Sequence, residues 1–336
     1  MHVPLHHCLP GRRGRPLLLL ALSQALPATG AGDGAPAPLS LRNLSPLYAN
    51  LGVPVMDTAN WRAAAGAEAQ LQWQIASHAL RASGDGSRLE LDGETQRLDL
   101  RLAYRAGARW RLHLNLPWVR HSGGRLDRLI DGWHDLWGLP DGPRRRQPRD
   151  RLNYRLDAAG GGWSLARSGG GFGDLEFGAD LALYRGAQWS LSALASIRLP
   201  TGDRDDFSGG AAGGAAAGLR ASRAQCLAAA LHCHLQFGVS YQEDSPLDPR
   251  VRRWSPFYGF SLAWRLTPAI ALLAQLEGQG AVYRDAALAA EGAPLFGALG
   301  LRWTPGAWQL EALFTEDLKV GSAPDVSFQL GIRRGF

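Results

Sequence analysis

An alternation of apolar and polar residues with a period of two runs through most of the chain, and it constrains the fold more than any other feature. Between residues 61 and 75 the odd positions carry Trp, Ala, Leu or Ile, whereas most even positions carry Arg, Glu or Gln. Segments 98–104, 110–118 and 325–336 repeat the pattern. Because successive side chains of a β-strand point to opposite faces, the pattern predicts strands with one apolar and one polar face.

Twelve segments carry this alternation, and short turns alternate with longer polar loops between them. The predicted strands cover residues 61–75, 97–105, 110–118, 174–185, 188–199, 210–222, 231–241, 254–266, 269–280, 294–304, 307–316 and 325–336. An even number of strands, unequal connections and aromatic residues near strand ends are typical of bacterial outer-membrane barrels. The sequence therefore predicts an all-β protein, a transmembrane antiparallel β-barrel of about 12 strands. A soluble β-sandwich or lipocalin-like barrel is the alternative that shows the same alternation.

The first 60 residues differ from the remainder. Residues 1–31 combine three arginines, a leucine run and the small residues Thr29-Gly30-Ala31, a composition that predicts a cleaved signal peptide. Cleavage after Ala31 would lower the formal charge from +6 to +3, a modest balance that does not favour a nucleic-acid partner. Residues 32–60 lack the alternation and are predicted to form a periplasmic lead-in or a plug across the lumen. The predicted barrel occupies residues 61–336, with a long extracellular loop at about 120–171.

If the apolar parity faces lipid, the polar parity lines the lumen. The charged candidates on that parity are Glu68, Asp99, Arg101, Arg111, His113, Asp174, Glu176, Asp180, Arg198, Glu277 and Glu311. These residues could line a hydrated pathway in which an acidic patch (Asp174, Glu176 and Asp180) faces a basic one (Arg101 and Arg111). They could equally form a ladder of interior charges that stiffens a barrel without a passage.

The long loop contains the most distinctive segment of the chain. Its candidate residues are Asp131, Trp133, His134, Asp135, Trp137, Arg144, Arg145 and Arg146. Two carboxylates and one histidine do not match a known metal-ligand spacing, so the sequence predicts no metal site, no cofactor and a loop packed by its own aromatic residues. The arginines could pair with lipopolysaccharide phosphates, or they could form a solvated face of the loop.

Two cysteines and two neighbouring polar residues raise further alternatives. A continuous strand would hold Cys226 and Cys233 roughly 23 Å apart, so they are either unpaired or joined as a disulfide across a tight turn. His121 and Ser122 could serve an outer-membrane lipid-modifying enzyme, but adjacent strand residues point to opposite faces. No catalytic motif accompanies them, and a non-enzymatic role is favoured.

Three stretches resemble one bacterial family. "PLYANLGVPVMDTANWR", "LIDGWHDLWGLPDGPR" and "LPTGDRDDFSGG" are similar to the predicted outer-membrane proteins grouped as domain of unknown function 3187. The resemblance implies outer-membrane location and a barrel architecture, and it implies no substrate and no functional residue.

These observations favour a bacterial outer-membrane protein that acts as a passive channel or binding barrel for small polar or amphipathic molecules. A structural or surface-interaction barrel is the alternative, and a lipid-modifying enzyme is the third hypothesis. The expected partners are outer-membrane lipid, lipopolysaccharide and the barrel-assembly machinery. The final strand "DVSFQLGIRRGF" resembles the signal that this machinery recognises, with Phe336 as its terminal aromatic and Arg334 as a departure from the usual apolar residue.

Overall fold

The computed structural model describes residues 35–61, 66–124, 126, 150–158, 161–284, 286–319, 321–324 and 326–336. The strands in chain order are β1 (Gly66–Gly84), β2 (Ser87–Ala106), β3 (Trp110–Ser122), β4 (Asn153–Ala158), β5 (Gly161–Leu165), β6 (Gly169–Phe172), β7 (Leu175–Arg185), β8 (Trp189–Leu199), β9 (Gly214–Arg223), β10 (Leu231–Gln242), β11 (Trp254–Arg265), β12 (Ile270–Gln279), β13 (Leu295–Trp303), β14 (Trp308–Asp317) and β15 (Val326–Gly335). Among the described residues, the only helical element is a 3₁₀ turn at Ala289–Glu291, and no helix is long and apolar enough to cross a membrane.

Twelve of these strands form a closed wall. Each wall strand pairs antiparallel with its neighbours, and β15 pairs back onto β1 in a register that sets Gln72 opposite Gly331. The short strand β4 pairs with β2, and β5 pairs with β4. The strand β6 pairs with β3 between Trp118 and His121, next to the pairing of β3 with β7. The structure confirms the predicted all-β antiparallel barrel of 12 strands.

The two faces of the wall follow the sequence parity. On β1, Leu71 and Trp73 are 44% and 38% exposed on the outer face, whereas Gln72 and Gln74 point inward and are 7% and 2% exposed. An apolar outer face is the surface that a membrane barrel presents to lipid. Closure of the wall also pairs the backbone hydrogen-bonding groups of each strand with those of its neighbours. Most inward-pointing side chains are polar, and a buried apolar cluster that includes Leu39, Leu41, Leu273, Phe296 and Leu313 lies among them.

The barrel has two unlike ends. Connections 107–109, 186–188, 224–230, 266–269 and 304–307 form the short-turn end, and the other connections form the long-loop end. Five tryptophans project outward near the short-turn end, each at least 41% exposed: Trp110, Trp189, Trp264, Trp303 and Trp308. Such a ring is typical of the aromatic girdle at a membrane interface.

The first hairpin is longer than the sequence predicted. Strands β1 and β2 were expected to end near residue 75 and to begin near residue 97, but they pair continuously from Gly66 with Arg105 to Gly84 with Ser87. The turn residues Asp85 and Gly86 both have positive φ, 46° and 75°, as a type I′ turn requires. The Asp-Gly pair was a readable hairpin signal. Residues 76–96 escaped prediction because polar residues occupy both of their parities beyond the lipid-facing part of the wall.

The long-loop end carries its own apolar cluster, which we call the cap. Strands β4 and β5 lie within the segment predicted as loop and pack there beside β2. The cap consists of Leu47, Tyr48, Leu51, Leu89, Leu91, Leu152, Tyr154, Leu156, Leu165, Phe207, Val251, Val282, Tyr283, Leu288 and Ala290. Arg250 braces the loops beside it, with Nη2 at 2.7 Å from both Asp248 Oδ2 and Glu291 Oε1. The cap is therefore a packed layer across the long-loop end.

A disulfide lies at the short-turn end. Cys226 in the connection and Cys233 in β10 are bonded, with their Cα atoms 5.8 Å apart. The backbone turns back between them, and Cys226 N donates to the Leu231 carbonyl over 2.9 Å. Of the two alternatives that the spacing left open, the structure has the tight turn.

Candidate functional site in the barrel lumen

Residues 35–61 lie inside the barrel, and we call them the lumenal segment. The segment starts at the short-turn end, where the Pro36 carbonyl is 2.8 Å from His234 Nε2. It reaches the long-loop end, where Tyr48 Oη donates to the Gly292 carbonyl over 2.6 Å. It then returns to the short-turn end, where Arg185 stacks 4.7 Å from the ring centroid of Trp61. The lumen therefore holds both an ascending and a descending arm.

Wall side chains bond directly to the backbone of the ascending arm. Gln275 forms a pair of bonds with Leu39, each 2.9 Å long, from Leu39 N to Oε1 and from Nε2 to the Leu39 carbonyl. Gln72 Nε2 donates to the Ser40 carbonyl over 2.7 Å. A backbone without sheet partners needs such bonds, because a buried unpaired peptide group costs free energy.

The descending arm is held in the same way. Gln236 Nε2 donates to the Pro54 carbonyl over 3.0 Å, and Arg220 Nη2 donates to the Val55 carbonyl over 2.9 Å. The prolines of the segment have no backbone N–H and cannot continue a ladder, so the arm stays extended without becoming a strand. Glutamine and arginine on the inward parity of the wall are thus the anchors of the lumenal segment.

Ion pairs also tie the segment to the wall. Asp57 lies between two wall arginines, 2.7 Å from Arg101 Nη2 and 2.7 Å from Arg111 Nη1. Arg42 on the ascending arm pairs with Glu176. The segment therefore supplies an anion to the basic pair of the wall and a cation to the acidic side.

The tip of the segment joins the cap. Tyr283 Oη donates to the Leu47 carbonyl over 2.7 Å, and the rings of Tyr48 and Tyr283 meet edge to face. Burial raises the pKa of both phenols, so both remain protonated donors. The segment is consequently fixed at the long-loop end as well as along the wall.

Three of the remaining lumen candidates are paired with wall arginines that were not among the candidates. Asp99 forms an ion pair with Arg97 at 2.8 Å, and Glu311 forms an ion pair with Arg302 at 2.7 Å. Asp180 pairs with the fully buried Arg220.

Two of the predicted lumen residues have longer contacts. His113 Nδ1 is 3.8 Å from Asp180 Oδ2, and Glu68 Oε1 is 3.4 Å from Arg111 Nη2. Glu277 accepts from Gln275 over 2.5 Å. Each member of the predicted acidic patch contacts a different arginine, so the arrangement in the described residues is a set of local ion pairs.

Asp174 organises the "LPTGD" loop as well as pairing with Arg198. Its two oxygens accept from Gly202 N and Gly210 N, each over 3.0 Å. This folds the loop inward and brings Phe207 into the cap. Asp174, which was predicted to line the lumen, therefore holds a connection at the long-loop end.

Sequence reasoning missed several lumen residues. The wall residues absent from the expected set are Gln74, Arg97, Arg220, Gln236, Arg302, Gln329 and Arg333. All are buried on the inward parity, so the alternation contained the signal. Those that bond the lumenal segment have partners far away in sequence, as with Arg302 and Ala37 at a separation of 265 residues.

His121, a candidate for enzymatic chemistry, has structural partners. His121 contacts Thr95 Oγ1 through Nδ1 over 3.0 Å and the Phe207 carbonyl through Nε2 over 3.2 Å. A second pair, Ser222 and His234, has a 2.8 Å contact between Oγ and Nδ1, but Ala59 N of the lumenal segment donates to the same Oγ over 2.8 Å. The lumenal segment thus covers the serine.

The distinctive residues of the long loop lie outside the described residues. These are Asp131, Trp133, His134, Asp135, Trp137, Arg144, Arg145 and Arg146. Within the part of the chain that is described, no group of three or more His, Cys, Asp or Glu side chains could hold a metal ion.

Comparison with known proteins places the fold. A family model described as "Protein of unknown function (DUF3187)" matches residues 16–336. The chain belongs to this family. The match confirms the resemblance read from the three motifs. No curated protein matches this sequence.

Solved structures similar to this chain are outer-membrane barrels. The COG4313 outer membrane channel from Pseudomonas putida F1 is 16% identical, with a TM-score of 0.55 over 83% of this chain and 98% of that one. The KdgM porin is 8% identical, with a TM-score of 0.43 over 80% and 99% of the two chains. A Pseudomonas aeruginosa FadL homologue is 10% identical, with a TM-score of 0.41 over 80% and 90%. The first likeness shows a shared barrel fold, which is consistent with a bacterial outer-membrane location.

Proposed function

We propose that this protein is a passive outer-membrane channel or binding barrel for small polar or amphipathic molecules, and that the lumenal segment constricts its pathway. The observation that carries the proposal is how the lumen is filled. A continuous segment, held to the wall by hydrogen bonds and ion pairs, occupies the space that wall side chains would fill in a purely structural barrel of small diameter. The polar contacts can be exchanged for water or solute. Leu39 and Leu41 also lie in one apolar cluster with the wall residues Leu273 and Leu313, and those contacts have no such replacement.

The likeness in fold to an outer membrane channel supports the same proposal. We place the short-turn end in the periplasm and the long-loop end outside the cell, because outer-membrane barrels have short periplasmic turns and longer extracellular loops. The disulfide at the short-turn end fits the oxidising periplasm. Residues 1–31 would direct export, and the barrel-assembly machinery would recognise β15 and Phe336.

Conductance in planar lipid bilayers tests the proposal. The mature full chain is compared with a variant that lacks residues 37–58, and both are first checked for a heat-modifiable barrel on gels. We expect stepwise openings that are small or infrequent for the full chain and larger and steadier for the deletion. Arg155→Gln is the matched control, because Arg155 pairs with Asp157 at the exposed long-loop surface and should leave the conductance unchanged. A folded deletion variant that never conducts would refute the channel.

A surface-interaction barrel is the second candidate, and the cap favours it. Strands β4 and β5 widen the long-loop end, and the tip of the lumenal segment is bonded to that layer. Lipopolysaccharide is the partner we propose, through the arginines at residues 144–146. Removal of residues 127–149 should weaken lipopolysaccharide binding by the purified protein while leaving its heat-modifiability intact. Equal binding by both forms would exclude this role for the loop.

A further inference from the structure

A cavity at the short-turn end collects arginine side chains. It has a volume of about 290 Å³ and lies between the two ends of the lumenal segment and the wall. The charged residues that line it are Asp57, Glu68, Arg105, Arg111, Arg265, Arg302 and Arg333. Five arginines thus face two carboxylates. Glu311 neutralises Arg302 from behind the lining over 2.7 Å.

The arginines that line this cavity differ in how fully their donors are used. Arg302 is saturated, because Glu311 and the Ala37 and Pro38 carbonyls accept from it. By contrast, Nε of Arg105 and Nε of Arg333 are buried and have no hydrogen-bond acceptor among the described residues. Buried polar groups are normally hydrogen-bonded, and a donor that lacks a partner points to a ligand or an ordered water.

The backbone at the start of β1 makes room for one of these arginines. Gly66 lines the cavity, and a Cβ at this position would lie 2.6 Å from Arg105 Nη2. Glycine therefore lets the Arg105 guanidinium lie against β1 within the cavity. A planar guanidinium presents paired donors that match carboxylate and phosphate oxygens.

We propose that this cavity binds a small solute with carboxylate or phosphate groups, and that Arg105, Arg111 and Arg333 contact its oxygens. The inference rests on the proposed channel, for which it names the class of solute. Asp57 is the internal competitor, because its carboxylate already bridges Arg101 and Arg111 at 2.7 Å. A solute that takes over Arg111 replaces one of the two ionic contacts of Asp57, and its binding loosens the descending arm.

Binding is measured by titration calorimetry on the mature full chain in a non-ionic detergent and a phosphate-free buffer. The probes are citrate, inorganic phosphate and uncharged glycerol. We expect saturable binding of citrate, phosphate or both, with none of glycerol; the two anions together show which oxyanion the cavity takes. Saturation by neither anion, or equal binding of glycerol, overturns the proposal.

Three variants test whether the anion binds in this cavity. Arg105→Gln should weaken binding about tenfold or more, because it removes a half-buried charge that faces the anion. Asp57→Asn should strengthen binding about threefold to tenfold by removing the competitor. Arg155→Gln, an arginine at the opposite end of the barrel, should leave binding unchanged. Equal loss in Arg105→Gln and Arg155→Gln refutes the site, and unchanged affinity in Asp57→Asn refutes the competition.

Failure of this inference is distinguishable from failure of the channel. If the deletion of residues 37–58 conducts but no anion binds the full chain, the oxyanion site is wrong and the channel stands. If citrate or phosphate binds in an Arg105-dependent way but no form conducts, the site stands and the protein is a binding barrel.

Discussion

Replacement of Arg220 by methionine should strongly destabilise the barrel. Arg220 is 1% exposed and makes three contacts, with Asp180, with Gln236 Oε1 over 2.7 Å and with the Val55 carbonyl over 2.9 Å. Asp180 is 0% exposed, so the variant leaves a buried carboxylate without its counterion. Breaking such a pair costs about 3 to 5 kcal/mol, and each of the other two lost hydrogen bonds adds about 1 kcal/mol. We therefore expect a loss of roughly 5 to 7 kcal/mol in the free energy of unfolding.

Urea unfolding in detergent or lipid vesicles, followed by tryptophan fluorescence, measures this loss. The double variant Arg220→Met with Asp180→Leu should recover at least about 2 kcal/mol of it, because no unpaired charge remains. Arg253→Met is the control, since Arg253 pairs with Asp244 on the exposed surface and its removal should leave the unfolding midpoint unchanged. A loss below about 1 kcal/mol for Arg220→Met would mean that water reaches the pair, and it would refute the burial of this pair by the lumenal segment.

Three further changes test the turn, the lumenal segment and the final strand. Cys226→Ser should lower the free energy of unfolding by about 2 to 3 kcal/mol, because the bond to Cys233 closes a short loop; dithiothreitol should reproduce the loss in the native protein and have no effect on the variant. Gly300→Leu should displace the ascending arm, since a Cβ at residue 300 would already lie 3.0 Å from Leu313 Cβ on the wall and 3.2 Å from Leu39 on the arm; larger conductance with an intact barrel is the expected readout, and unchanged conductance would show that this contact does not displace the arm. Deletion of Phe336 should reduce the heat-modifiable fraction in outer membranes, and normal assembly would contradict the role of this residue as the assembly signal.

The period of two was enough to predict the wall. It specified twelve strands, their inward and outward faces and the alternation of turns with loops. Successive residues of each strand face lipid and lumen in turn, so the pattern can be read from neighbouring residues alone. It failed where that pattern ends. Beyond the apolar band, at the long-loop end, polar and apolar residues occupy both parities. This part contains the extension of β1 beyond Ile75, the part of β2 before Arg97 and the short strands β4 to β6.

The sequence alone determined that this chain closes into a barrel with charged residues inside. The tertiary structure decided how those charges are used. It places residues 35–61 in the lumen, pairs Asp57 with wall arginines at least 44 residues away and pairs Arg42 with Glu176 across 134 residues. The physical reason is that strand faces follow from neighbours along the chain, whereas the partner of a buried ion or of an extended backbone is set by which distant groups the closed wall brings within hydrogen-bond reach.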